Sequence, residues 1–203
     1  MNEQINAYFR FLVESEIPSL YSLIELFFMV YGAVLFFWGI GRMRGVRALT
    51  GVYSQMHYAA ADVGINDVFL KVFSGVFLMS FGAGQALVAN SIYITQNFQP
   101  YSVEVFRSIS CASGSVQGCL HYDLGLYQDG NWQTSIINLN FFNLFTSVIQ
   151  ISGAISYGIG WKNVASLGAP NHNGKAITPM GCLTQIGLGA AAMHPIELWH
   201  LLV

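Results

Sequence analysis

The fold this sequence predicts is all-α: a polytopic membrane protein, built as a bundle of about four transmembrane helices with a disulfide-tied extracytoplasmic loop. The placement of its few charges is the first reason. Residues 19–40, 69–94, 136–159 and 177–203 are nearly uncharged, broken only by Glu25, Lys71 and Glu197. A helix crosses a bilayer with about 20 apolar residues. Composition points the same way without any choice of window. The chain is 54% hydrophobic and only 9% charged, with a mean hydropathy of +0.49, where a soluble domain carries about 25% charged residues. So few Lys, Arg, Asp and Glu cannot dress the surface of a soluble fold. A net charge of −2 supplies no basic face for nucleic acid and disfavours direct binding to it.

The elements follow in order. Residues 1–18 hold Ile5, Tyr8, Phe9, Phe11 and Leu12 among polar neighbours, either an amphipathic segment suited to lying in the interface or a frayed terminus. Pro18 then opens the first span, residues 19–40, where a missing N–H costs nothing. The residues before this span are acidic and the apolar run is long. Both features argue for a retained helix rather than a cleaved signal. Glycines and arginines in GRMRG mark its end at water. The second span, residues 69–94, reads as one helix, with Lys71 reaching back to the headgroups.

The outer loop, residues 95–133, is the largest hydrophilic piece and carries Cys111 and Cys119, eight positions apart. In an oxidising compartment such a pair closes a ring, worth about 2–3 kcal/mol on the chain-entropy model. Two free thiols and a catalytic pair are the rival readings. Zinc would need four ligands, and His121 alone does not complete a set. Cys182, in the last span, reads as a small core residue.

In the third span, residues 136–159, Asn140, Asn143, Ser147 and Gln150 recur at helical steps. Amides in hydrocarbon need partners, so this stripe either glues helices or lines a pore, and glue is the expectation. Glu25, the one carboxylate deep in a span, is expected in a structural pairing, with a proton or ion path as the alternative. Small residues at four-residue spacing, Gly82 with Ala86, Ser152 with Ser156 and Gly160, and Gly187 with Ala191, are expected to pack helices or copies of the chain. The fourth stretch, residues 177–203, is interrupted by Pro195, so it either crosses fully or bends at the outer surface.

Orientation comes from the basic residues. Arg42, Arg44, Arg47 and Lys71 cluster at one connection and Lys162 and Lys175 at another, which makes both cytoplasmic and puts both termini on the periplasmic side. Trp38 and Trp161 are expected as an inner aromatic girdle, Trp132 and Trp199 as an outer one.

No nucleotide-binding loop, zinc-protease motif or nucleophile elbow occurs in the sequence. The order of parts does resemble a family: the IcmC/DotE and TraQ group of small inner-membrane proteins of type IVB secretion and I-type conjugation systems. The resemblance rests on LYSLIELFFMVYGAVLFFWGIGRMRG, on FLKVFSGVFLMSFGAGQALVANSIY, and on a Gly-rich ending with a basic turn at Gly160, Trp161, Lys162, Asn173, Gly174, Lys175 and Gly181. It implies a structural or assembly component of the bacterial inner membrane, in contact with the lipid bilayer and with other membrane components of the apparatus. A homo-oligomer is compatible with it; no cofactor and no catalysis are implied. The alternatives are a small oligomeric transporter or channel, a pilin-like subunit, and a four-helix thiol oxidase. The oxidase would need a second cysteine pair, which Cys182 cannot provide.

Overall fold

Residues 2–50, 65–93, 139–167 and 177–195 are described by a computed structural model of the chain, and every regular element among them is helical. Helix α1 (Asn2–Phe11) passes through one π-helical turn, Leu12–Glu16, into α2 (Ile17–Thr50). The Ile17 N–H donates to Leu12 O across that wider turn. Pro18 accounts for it: proline offers no N–H to the carbonyl four residues back and its ring crowds that carbonyl, so the preceding turn opens. The interfacial segment expected before Pro18 is therefore continuous with the helix that follows. At its other end α2 also outruns the expected boundary at Ile40, because Gly41 costs a helix only about 1 kcal/mol and Arg, Ala and Leu residues carry it on to Thr50.

Helices α3 (Ile65–Met79) and α4 (Phe81–Ile92) correct the expectation of one straight second span. They meet at a bend of 97°. Ser80 sits there at φ −104° and ψ 51°, outside helical geometry, and its hydroxyl donates to Val76 O at 2.7 Å. Such back-bonding competes with the helix, and the FGAG sequence that follows adds two poor helix formers. Helix α5 (Leu139–Ser166) is long and unbroken. Helix α6 (Pro179–Ala192) starts with Pro179 at its first position and with Thr178 Oγ1 accepting from the Gly181 N–H at 3.2 Å, a regular N-cap. It ends shortly before Pro195.

Contacts set the register. Gly39 faces Val72, Gly32 faces Gly75 and Leu78, and Gly75 faces Phe36, so α2 and α3 run antiparallel with their backbones touching. A Cβ at Gly32 would stand 2.7 Å from Leu78 Cβ and 2.8 Å from Gly75 O. Helices α5 and α6 form a second antiparallel hairpin, in which a Cβ at Gly153 would stand 2.7 Å from Gly189 O. The hairpins join through aromatics. Phe28 stacks on Phe81 at 5.5 Å, Phe81 meets the Tyr157 ring edge-on at 5.3 Å, and Phe77 stacks on Trp161 at 4.2 Å. The Phe28 ring fills the space where a side chain at Gly158 would be.

Among the described residues, one helix is long and apolar enough to cross a membrane, over Ser19–Met43, and a second qualifies only if α3 and α4 count together as one broken span. Helix α5 has the length, but its polar residues dilute it. Helix α6 has only 14 residues, about 21 Å at 1.5 Å per residue.

Candidate functional site

Two polar constellations stand out in a molecule whose outward face is apolar. The first lies where α4, α5 and the end of α6 meet. Gln85, Thr146, Ser147, Gln150 and His194 are all buried there, Gln85 and His194 completely. Gln85 Nε2 lies 2.7 Å from His194 Nε2; with the amide donating, the ring nitrogen accepts and the imidazole proton sits on Nδ1. Gln150 Nε2 donates to Met193 O at 3.2 Å, and the Tyr93 hydroxyl donates to Ala191 O at 3.3 Å while its ring meets His194 edge-on. Each of these bonds ties α4 or α5 to the last turn of α6. Further along the α5–α6 hairpin, Asn163 Nδ2 donates to Gln185 Oε1 at 2.9 Å and the Ser156 hydroxyl to Gln185 O at 3.4 Å.

The second constellation closes the opposite end of the α2–α3 hairpin. Asp67, in the first turn of α3, is buried and pairs with Lys71 one turn on and with Arg42 Nη1 of α2 at 2.9 Å. Both cations lie 5.1 Å from the centre of the Trp38 ring, within cation–π reach. Lys71 therefore does not snorkel as expected: it is folded inward between Asp67 and Trp38. Asp67, one turn earlier on α3, is the residue that holds it. Trp161 is a second correction, since it is buried against Phe73 and Phe77 instead of lining the inner girdle with Trp38.

The other singled-out residues fall as follows. Ser147 and Gln150 turn inward together; Asn140 and Asn143 lie on the same helix, their side chains outside the described residues. Glu25 is half-buried, and the ion pairs among the described residues, both made by Asp67, do not include it. Gly82 and Ala86 are buried in α4. Gly160 stands against Ile186, and Ala191 is buried. Ser152, by contrast, is exposed and bonds within its own helix to Ile149 O, and among the described residues no atom outside the local helix backbone comes within 4 Å of a Cβ at Gly187. Cys182 is a buried free thiol. Cys111, Cys119, the outer loop at 95–133, Trp132, Glu197, Trp199 and His200 lie outside the described residues.

Sequence reasoning missed Gln85, Asp67 and the glycine contacts at Gly32, Gly75, Gly153 and Gly189. Gln85 was findable as an amide within an apolar stretch; the seven-residue spacing of Gly32 and Gly39 was the signal for the α2–α3 seam. Chemically, the buried cluster offers amides, an imidazole and hydroxyls held in place by backbone carbonyls. Among the described residues no group of three or more His, Cys, Asp or Glu side chains could hold a metal ion. No family model matches this sequence, and no curated protein and no solved structure matches it.

Proposed function

We propose that this chain is a multi-pass protein of the bacterial inner membrane and a structural or assembly component of a type IVB secretion or conjugative transfer apparatus, with no catalysis of its own. The observation that carries the membrane part is the inverted polarity of the bundle. Gln85, Gln150, His194, Asp67 and Lys71 are buried, whereas Leu23, Phe27, Phe37, Phe145, Leu183 and Leu188 are more than half exposed. A protein in water pays heavily for that arrangement, and one in lipid does not. This polarity extends to α5 and α6, which supports reading them as the third and fourth spans and α3 with α4 as a broken second span. The alternating direction of α2, α3, α5 and α6 fits termini on the periplasmic side. The apparatus itself rests on the family resemblance and on the bundle's large outward apolar surface, which neighbours in a complex would share with lipid.

A second reading, a small oligomeric transporter or channel, is favoured by one observation: the bend at Ser80 lies level with Gly32 and Phe28, near the middle of Ser19–Met43. Transporters place broken helices and their substrate sites at such a depth.

Gentle detergent extraction of the tagged protein from its native host, followed by mass spectrometry and native sizing, tests both. Co-recovery of other inner-membrane secretion or conjugation components is expected. Recovery as a lone monomer or small homo-oligomer refutes the assembly reading, and flux in liposomes reduced by Glu25→Gln would then establish the second. A reporter fused after Val203 is expected to be active in the periplasm; activity in the cytoplasm would refute the proposed topology.

A further inference from the structure

We infer that the end of the α2–α3 hairpin is a binding site for the phosphate of an anionic phospholipid headgroup, with Arg42 as its anchor. The inference rests on the membrane reading above and adds to it a ligand and a set of residues. Its basis is a charge imbalance with a direction. Asp67 is buried and supplies one negative charge to two cations, Arg42 and Lys71, so among the described residues the cluster keeps one positive charge.

That charge points outward. The Lys71 side chain is enclosed, at 7% exposure, whereas Arg42 is 36% exposed. Only its Nη1 is engaged by Asp67, and guanidinium carries five N–H donors in a planar fork that suits phosphate. The Asp67 carboxylate holds Nη1 and the guanidinium carbon lies 5.1 Å from the centre of the Trp38 ring, so the guanidinium is restrained before a ligand arrives.

Depth and surroundings select a lipid as the source of the phosphate. Arg42 stands one residue before the end of the membrane-length segment Ser19–Met43, where headgroups lie, and Trp38 is half exposed one turn below it, as interfacial tryptophans are. Phe37, Ile40 and Phe69 are exposed on the same end of the hairpin and offer acyl chains an apolar surface. Arg44 and Arg47 continue the basic sequence in the last turns of α2. Free phosphate would use the guanidinium but gain nothing from the apolar side chains, so affinity should follow the lipid.

The test uses the full chain reconstituted in phosphatidylcholine vesicles with a small fraction of phosphatidylglycerol brominated on its acyl chains. Quenching of tryptophan fluorescence is compared with that by brominated phosphatidylcholine at the same fraction. The expected result is about fivefold enrichment of the anionic lipid at the reporter, the effect of one basic side chain at an anionic surface. The selective part should disappear in Trp38→Phe, fall to the phosphatidylcholine level in Arg42→Gln, and resist excess inorganic phosphate. Arg42→Gln leaves the Asp67–Lys71 pair in place, and the comparison of the two lipids on the unaltered protein decides the matter without any variant. Equal quenching by both lipids, selectivity that survives Arg42→Gln, or displacement by inorganic phosphate would overturn the site while leaving the membrane reading intact. Release of the protein from the vesicles by alkaline carbonate would overturn both.

Discussion

The seam between α2 and α3 makes a quantitative prediction. Gly32 and Gly75 bring two helix backbones into contact: a Cβ on Gly32 would lie 2.7 Å from Leu78 Cβ and Met79 N, and one on Gly75 would lie 2.8 Å from Phe36 N and 2.9 Å from Gly32 O. Carbon atoms sit comfortably at about 3.5–4.0 Å, so Gly32→Ala is short by about 0.8 Å or more. The obstructing atoms are backbone and Cβ, which no rotamer change can move, and the helices must separate. Overpacking of this kind costs about 1–3 kcal/mol. Alanine returns ~1 kcal/mol through its higher helix propensity, so the net loss should be about 0–2 kcal/mol.

Gly41 removes the propensity term from the comparison, since it lies on the same helix and, among the described residues, no atom outside the local helix backbone comes within 4 Å of its would-be Cβ. Gly41→Ala should be neutral or stabilising. The difference between the two alanine variants therefore isolates the packing cost, about 1–3 kcal/mol. Thermal or detergent-induced unfolding in micelles, followed by helical circular dichroism, reads it directly. A Gly32→Ala, Gly75→Ala double variant should lose less than the sum of the single losses, because one widened gap relieves both clashes. Midpoints for Gly32→Ala and Gly75→Ala at or above that of Gly41→Ala would refute the close-packed seam.

Three further outcomes follow from the polar residues and the cysteines. Asp67→Asn strands a buried Lys71 charge and should cost about 3 kcal/mol in unfolding free energy, most of it regained in Asp67→Asn with Lys71→Met; an unchanged midpoint would mean the pair is solvated. Gln85→Leu leaves the His194 ring without its amide and should cost about 1–2 kcal/mol, with a much smaller further loss when His194→Phe is added; additive losses would mean the two side chains are not coupled. Alkylation of the denatured protein without reduction should modify one of the three cysteines, and all three after reduction. Three modified thiols without reduction would eliminate the Cys111–Cys119 disulfide.

The helical class was legible because it depends on bulk hydropathy, and so was the inward turn of Ser147 and Gln150, since helical periodicity puts them on one face. The bend at Ser80 was not. FLMSFGAGQAL reads as an ordinary Gly-rich span; at the bend the Ser80 hydroxyl shares Val76 O with the Ser80 N–H, and Phe81 beyond it stacks on Phe28, a long-range contact that the sequence does not display. Lys71 shows a similar limit. A lysine at the end of a span is expected to reach for water, but an aspartate one turn earlier on its own helix and an arginine from the neighbouring helix make an inward conformation available. The pairing of Arg42 with Asp67 depends on the register of α2 against α3, and that register is set by Gly32, Gly39 and Gly75. Such glycines look alike in sequence whether they pack closely, as these do, or face open space among the described residues, as Gly41 and Gly187 do.

The bend at Ser80 has a structural cost and a structural return. The amides of Phe81, Gly82 and Ala83 have no acceptor four residues back within their own helix, and the carbonyls of Phe77, Leu78 and Met79 lose the matching donors. At mid-depth in a membrane, unpaired backbone groups are tolerated only where protein or a polar cavity covers them, and Phe28, Phe77 and Tyr157 pack around this corner. The return is a tie between the hairpins. Helix α4, turned away from the line of α3, delivers Gln85 to His194 and Tyr93 to Ala191, contacts 109 and 98 positions apart in sequence that hold the first hairpin to α6. A straight second span would keep its backbone bonds and carry Gln85 past that partner. The same corner would serve either proposed role: in an assembly component it fixes the two hairpins in one arrangement for neighbours to recognise, and in a transporter its backbone groups would be the first place to look for a bound ion.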